Sequence, residues 1–253
     1  MTDREHYSYT LYADPATAQN FDARRFGGPI GELVAAQQAQ VLLSFLAPRA
    51  GQTILDIGTG TGRGAFLLAS AGATVTGVDA SKEMLAVARA RAAAHADARA
   101  LAIDFREGDA HALDFPDRSF DAAVSLRVLM HTPRWRMCIA ELCRVARHQV
   151  LLDFPSARST ALLQSIGRKL IHTVGGTTEP YRVFLDRQIV GALHANGFRV
   201  RAVDRQFVLP IALHKTIGSP SFTRSSERLL ERIGAQGAFG SPVTVLAERC
   251  ESS

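Results

Sequence analysis

The sequence predicts one α/β domain in which short apolar strands alternate with helices, and three observations carry that expectation. A short apolar run, Thr53-Ile54-Leu55, leads through Asp56-Ile57-Gly58-Thr59-Gly60-Thr61-Gly62 into a helical stretch from Arg63 to Ala69. Strand, glycine turn and helix is the arrangement in which a backbone closes on a nucleotide-like ligand without side chains in the way. A second apolar run, Thr74-Val75-Thr76-Gly77-Val78, ends in Asp79, and a carboxylate at a strand tip is placed to accept hydrogen bonds from ribose hydroxyls. With 253 residues, 47% of them hydrophobic, the chain can bury one large core.

The remaining elements follow from periodicity. Glu32 to Leu46 reads as an amphipathic helix, with Val34, Val41, Leu42 and Phe45 on one face and Pro48 beyond its end. Met84 to Ala96 is an alanine-rich helix, Ala100 to Glu107 a strand, and Ala122-Ala123-Val124-Ser125 a strand entered from a turn. Trp135 to Arg147 reads as a helix before the strand Gln149 to Phe154. Asp186 to Asn196 is a helix stopped by Gly197, Phe198 to Leu209 contains a strand, and Val243 to Arg249 is an edge or antiparallel strand.

Two readings of the glycine turn compete. Gly60-Thr61-Gly62-Arg63-Gly64-Ala65 fits the dinucleotide fingerprint, with Asp79 near the expected spacing. Asp56, at the strand's carboxyl end, separates them: it would repel a pyrophosphate and would attract a sulfonium ligand bearing an ammonium group. A Gly-Lys-Ser/Thr sequence is absent, which excludes a phosphate-cradling P-loop. The residues therefore favour S-adenosyl-L-methionine over NAD.

The run from Ile54 to Leu85 resembles the core of class I S-adenosylmethionine-dependent methyltransferases of the ubiquinone/menaquinone-biosynthesis-like group (methyltransferase type 11). Asp56 to Gly62 is similar to that family's first motif and Asp79-Ala80-Ser81-Lys82-Glu83-Met84-Leu85 to its second. Gly108-Asp109-Ala110 resembles the third, and Phe115-Pro116-Asp117-Arg118-Ser119-Phe120-Asp121 the fourth. The resemblance covers roughly residues 50 to 155. It implies a Rossmann-like, doubly wound seven-stranded sheet with its last strand antiparallel and helices on both faces. By the same resemblance the domain divides into an N-terminal helical cap (1–48), a cofactor-binding core (49–155), a helical insert after the fifth strand (156–181) and the C-terminal half of the sheet (182–253).

The resemblance also assigns residues. Asp56, Thr59 and Gly62 belong to the cofactor-binding turn, where Gly58 and Gly60 let the backbone approach the methionine part of the cofactor. Asp79 holds the ribose hydroxyls, and Ala80 and Met84 pack near the adenine. Asp109 accepts from the adenine amino group, and the Ala110 backbone contacts the ring. Leu126 offers its carbonyl to the methionine ammonium. Arg25, in an N-terminal segment that closes over the cofactor in related enzymes, is the expected partner of its carboxylate. Each has a plainer alternative: Asp79 or Ser81 as a helix cap, Asp109 as a turn residue, Arg25 as a solvated surface group.

Substrate identity must lie outside that core. The N-terminal segment from Tyr7 to Ile30 carries Tyr7, Tyr9, Tyr12, Phe21 and Phe26 around Arg24-Arg25. From Ser156 to Tyr181, Leu163, Ile166, Leu170 and Val174 recur at helical spacing before Gly175-Gly176, a helix suited to roof the carboxyl edge of the sheet. Pro210 to Pro242, with Phe222, Leu229, Leu230 and Ile233 at helical positions, could join that wall or form a homodimer contact. His131, just after the fourth strand, is the candidate general base for an acceptor that arrives protonated, with a packing role before Pro133 as the alternative.

Composition narrows the classes. The net charge is +5, but basic residues are spread and lysine occurs only at Lys82, Lys169 and Lys215, so no nucleic-acid patch is visible. Ser125-Leu126-Arg127-Val128 stands where nucleic-acid adenine methyltransferases carry an Asp/Asn-Pro-Pro-aromatic tetrad. No apolar run is long enough for a membrane span, no secretory leader is visible, and Cys138, Cys143 and Cys250 form neither a disulfide framework nor a metal site. A cytoplasmic enzyme is expected, transferring a methyl group from S-adenosyl-L-methionine, with S-adenosyl-L-homocysteine as product, to a small or medium-sized, partly apolar organic acceptor. An NAD-linked oxidoreductase and a non-catalytic cofactor-binding member of the fold are the alternatives; a Tyr-x-x-x-Lys sequence typical of one large oxidoreductase group is absent.

Overall fold

Residues 14–94, 101–161, 165 and 181–250 are described by the computed structural model. Seven strands form one sheet: β1 (Thr53–Ile57), β2 (Thr74–Asp79), β3 (Ile103–Glu107), β4 (Phe120–Ser125), β5 (Ala146–Phe154), β6 (Phe198–Phe207) and β7 (Ser241–Arg249). Their spatial order is β3-β2-β1-β4-β5-β7-β6. Pairs from β3 to β5 are parallel, whereas β7 runs antiparallel to both β5 and β6. The reversed last strand is thus internal, and β6 takes the edge.

Helices α1 (Pro15–Phe26), α2 (Gly28–Leu46), α3 (Arg63–Ser70), α4 (Lys82–Ala94), α5 (Trp135–Val145), α6 (Asp186–Ala195), α7 (Ile211–Ile217), α8 (Pro220–Arg232) and α9 (Ala235–Phe239) complete the described elements. Strand β1 shows why the parallel strands read as continuous apolar runs. Its Leu55 and Ile57 pack with Trp135, Ile139 and Leu142 of α5 and Ile189 of α6. Ile54 packs on the opposite layer with Leu42 and Leu46 of α2, Leu68 of α3 and Leu85 of α4. Helices on both faces bury both side-chain sets, at about 1.5–3 kcal/mol per large aliphatic side chain.

Boundaries move where tertiary pairing outweighs local pattern. Helix α5 ends at Val145, not Arg147, and β5 starts at once, because Ala146 pairs with Phe120 and Arg147 Nη1 reaches Asp121 Oδ1 at 2.6 Å. Helix α4 starts at Lys82, two residues before the expected Met84, because Ser81 Oγ accepts the Met84 N–H at 3.0 Å. Helix α2 starts at Gly28, with Pro29 in its first turn, and β3 starts at Ile103, not Ala100.

At the α7–α8 corner the apolar residues at helical spacing line neither cavity and leave the homodimer contact as the open alternative. Phe222, Leu229 and Ile233 face outward, while Thr223 and Glu227 are buried. Glu227 accepts the backbone N–H groups of Val208 and Leu209, at 2.8 and 3.0 Å, and pairs with His214 Nε2 at 2.9 Å. Thr223 Oγ1 meets the other nitrogen of that ring at 3.0 Å. A buried polar network, rather than an apolar face, fixes α7 against α8.

Strands wind outward in opposite directions from β1 and β4, so their carboxyl ends flank the crevice where open α/β sheets bind ligands. Residues 1–13 and most of 156–181, including Tyr7, Tyr9, Tyr12, Leu163, Ile166, Leu170, Val174 and Gly175-Gly176, lie outside the described residues.

Candidate functional site

The glycine turn is built by backbone geometry that side chains would obstruct. Gly58 has φ +68°, and a Cβ there would lie 2.1 Å from Cγ2 of Val128. Its N–H and that of Thr59 both donate to the Val78 carbonyl, at 2.7 and 3.0 Å, which sets the turn against the end of β2. Asp79, at that end, accepts the Gly60 N–H on Oδ2 at 2.8 Å and the Ser81 N–H on Oδ1 at 2.9 Å. The helix cap at this junction is Ser81, and Asp79 instead couples the turn to the strand. Burial pushes the Asp79 carboxyl upward, against the pull of those N–H groups.

Asp56 lies beneath the turn, almost fully buried. Thr59 Oγ1 donates to its Oδ2 at 2.8 Å, and the Ala65 N–H at the start of α3 also bonds to it. Burial pushes its pKa up to about 7; the Thr59 and Ala65 bonds oppose the rise and the charge of Asp79 adds to it.

These groups bound a cavity of about 230 Å³. Asp56, Gly58, Thr59, Gly60, Asp79, Ala80, Met84, Ala110, Leu126, Arg25 and His131 all line it. Gly62 and Asp109 do not. Gly62 faces inward, where a Cβ would meet Phe105 and Phe66 at 3.0 Å. Asp109 Oδ1 accepts the His111 N–H at 2.9 Å and meets His111 Nδ1 at 2.6 Å, so the wall position goes to His111. The sequence reading missed His111, although a histidine two residues past an Asp in a turn is placed for such a bond.

Helix α1 closes this cavity from above. Asp22 accepts from Thr61 Oγ1 at 3.0 Å and forms an ion pair with Arg91 of α4, while Arg91 Nη1 donates to the Thr61 carbonyl at 3.0 Å. Arg63, the first residue of α3 and also unremarked in the sequence, stacks its guanidinium 3.8 Å from the centroid of the Phe26 ring. Arg63, Arg25 and Arg127 all line the cavity, so three cations stand where Arg25 alone was expected.

A second cavity, of about 460 Å³, adjoins the first. Phe21, Arg25, Phe26, Gln38, Arg127 and His131 are common to both walls and form the neck between them. Beyond the neck lie Met130, Tyr181, Phe207 and Ile211, together with Arg24 and Lys215. With Arg25 and Arg127 of the neck, these cations come from three places in the chain. Arg127 has φ +64°, uncommon for a residue with a side chain, and its N–H donates to buried Asp153 Oδ1 at 2.5 Å. Burial raises the Asp153 carboxyl, and the charges of Arg127 and Arg25 oppose that rise. His131 closes the short 3-10 turn from Leu129, its N–H donating to the Val128 carbonyl at 2.8 Å.

Residues 55–152 match the protein family described as a methyltransferase domain. Over that stretch the chain is similar to methyltransferase domains. Over 131 residues the chain is 31% identical to the ubiquinone/menaquinone biosynthesis C-methyltransferase UbiE of a Bradyrhizobium species, covering 51% of this chain and 48% of the relative. The match therefore spans about half the length of the curated relative. Magnesium protoporphyrin IX methyltransferase from Synechocystis PCC 6803, solved with bound S-adenosylhomocysteine, shares the fold at 20% identity and a TM-score of 0.65, covering 95% of this chain and 98% of that one. The [4+2]-cyclase SpnF shares it at 19% identity and a TM-score of 0.66, covering 100% and 97%. No described helix is long and apolar enough to cross a membrane.

Proposed function

We propose that this protein transfers a methyl group from S-adenosyl-L-methionine to a small or medium-sized, partly apolar organic acceptor held in the second cavity. The observation that carries the reading is the shared neck: a cavity with glycine-turn and acidic strand-end walls opens, past six common residues, into a separate cavity with aromatic and aliphatic walls. S-adenosyl-L-methionine would supply an electrophilic methyl on its sulfonium and leave as S-adenosyl-L-homocysteine.

The residues fit that cofactor. The Asp79 carboxylate already accepts backbone N–H groups of Gly60, Ser81 and Ala80, and its two oxygens offer about four acceptor sites, which leaves capacity for a ribose hydroxyl. Gly58 and Gly60 let the backbone approach, Leu126 supplies a carbonyl toward the ammonium, and Met84, Ala80 and Ala110 give the adenine apolar surroundings beside His111. Arg25 and Arg63 are the cations for the carboxylate. Asp56 contributes negative charge beneath the turn once it ionises. Rate enhancement then comes mainly from holding acceptor and methyl in line across the neck. His131, on the neck wall, takes the proton when the acceptor arrives protonated.

The likeness to a cyclase supports a second reading, in which the chain binds the cofactor and performs no methyl transfer. Mass spectrometry on extracts incubated with the protein and S-adenosyl-L-methionine separates the two. Methyl transfer predicts a compound heavier by one CH₂ that forms only with active protein, and forms far more slowly with His131→Ala although S-adenosyl-L-homocysteine still binds. Tight cofactor binding with no such product would favour the second reading.

A further inference from the structure

The second cavity carries charge of one sign. Arg24, Arg25, Arg127 and Lys215 line it, and no Asp or Glu does among the described residues. The cations come from α1, from the loop after β4 and from α7, so only the folded chain assembles them. Lys215 is partly committed, since its Nζ donates to the Arg25 carbonyl at 3.0 Å and so satisfies the end of α1. Arg25 shares the first cavity with Arg63, and a cofactor carboxylate there occupies one of them. Arg127 is different. Its backbone is held in a left-handed conformation by the bond to Asp153, a conformation retained where surrounding structure imposes it. Its guanidinium makes no hydrogen bond or ion pair among the described residues and stands at the neck. Asp153, the carboxylate whose charge it feels, is buried and lines neither cavity.

Arg24 and Lys215 are exposed and Arg25 and Arg127 half-buried, so a neutral apolar acceptor that covers them takes charge out of water, which is costly without a counter-charge. An anion on the acceptor supplies it, and a planar guanidinium suits a carboxylate in two-point contact. We propose that the acceptor is an amphiphilic carboxylic acid, with its anion on Arg127 and its apolar body against Phe21, Met130, Tyr181 and Phe207. That this ligand is the methyl acceptor rests on the proposed methyl transfer; its chemistry rests on the cavity alone.

The test is calorimetric titration of decanoate, decyl phosphate, decanol and decylamine into the full chain saturated with S-adenosyl-L-homocysteine. Decanoate should bind at least tenfold tighter than decanol, a difference of about 1.4 kcal/mol, and decylamine weakest of all. Arg127→Gln should reduce the decanoate-to-decanol ratio about tenfold with decanol affinity unchanged, whereas a merely structural role would weaken both alike. Arg24→Gln, an exposed change in α1, should reduce the ratio by about threefold and serves if the first variant does not fold. Equal binding of decanoate and decanol, a ratio unmoved by either variant, or a preference for decyl phosphate over decanoate would overturn the proposal. Failure of S-adenosyl-L-homocysteine to bind is read before any amphiphile is added, and would count against the methyltransferase reading instead.

Discussion

Replacing Asp79 by Asn keeps size and shape while removing charge, and the hydrogen bonds around this side chain set the expected cost. Both oxygens are acceptors in the native protein, one toward Gly60 N–H and one toward Ser81 N–H. Asparagine offers one acceptor oxygen and one NH₂ group, so in either orientation a backbone N–H faces a donor. If the Gly60 bond is lost the glycine turn loosens; if the Ser81 bond is lost the entry to α4 does. Asp79→Ala removes both bonds and the ribose contacts together. Hydrogen bonds to a charged group contribute about 1.5–3 kcal/mol, so the alanine variant should bind S-adenosyl-L-homocysteine roughly ten- to a hundredfold more weakly. Asp79→Asn should recover little of this, because its remaining acceptor comes with a misplaced turn. Isothermal titration at pH 8, with circular dichroism to confirm folding, gives both numbers. Wild-type affinity in the alanine variant would refute the assignment of Asp79 to the ribose, and wild-type affinity in the asparagine variant would refute its coupling to the turn.

Three further outcomes are expected. Asp56 titrates at about 7 in the folded protein, above its ordinary 3.8. Between those values the native state holds a proton that the unfolded chain has released, so the contribution of this group to stability falls as pH rises from about 4 to about 7, by at most about 4 kcal/mol; in urea melts at pH 5 and pH 8, which span about two units of that window, wild type should lose about 3 kcal/mol more than Asp56→Asn. Gly58→Ala must adopt a left-handed conformation, at about 1–2 kcal/mol, and meet Val128 at 2.1 Å; adding Val128→Ala should restore the part due to the clash, and equal melts for single and double variants would show that no clash exists. Asp22→Ala unties α1 from Thr61 and Arg91, and stopped-flow release of S-adenosyl-L-homocysteine should quicken severalfold; an unchanged release rate would mean that α1 does not retain the cofactor.

The cofactor side of the protein was legible because its signals are local. Apolar runs, a glycine turn and an acidic strand end need only a few adjacent residues, and Asp56, Gly58, Gly60 and Asp79 sit together as their spacing implied. What the sequence concealed depends on distant elements. The neck cations Arg25 and Arg127 are about a hundred residues apart in the chain, and Lys215 nearly as far again; only the sheet order brings them together. Helical spacing in α8 gave no sign that Glu227 turns inward, where it satisfies two backbone N–H groups and His214. His111 was overshadowed by Asp109, whose side chain turns to the histidine rather than to the cavity. The direct passage from α5 into β5 carries no turn residue for a reader of sequence to find.

Ligand discrimination by the purified protein tests the central claim most directly. Asp56 and Asp79 beside the glycine turn should accept an adenosyl ligand bearing an ammonium group and reject a pyrophosphate. S-adenosyl-L-homocysteine at a hundred times its dissociation constant should therefore stabilise the protein by about 2.7 kcal/mol, read as a raised melting temperature, while NAD at the same concentration should leave it unmoved. A clear shift with NAD and none with S-adenosyl-L-homocysteine would contradict the account.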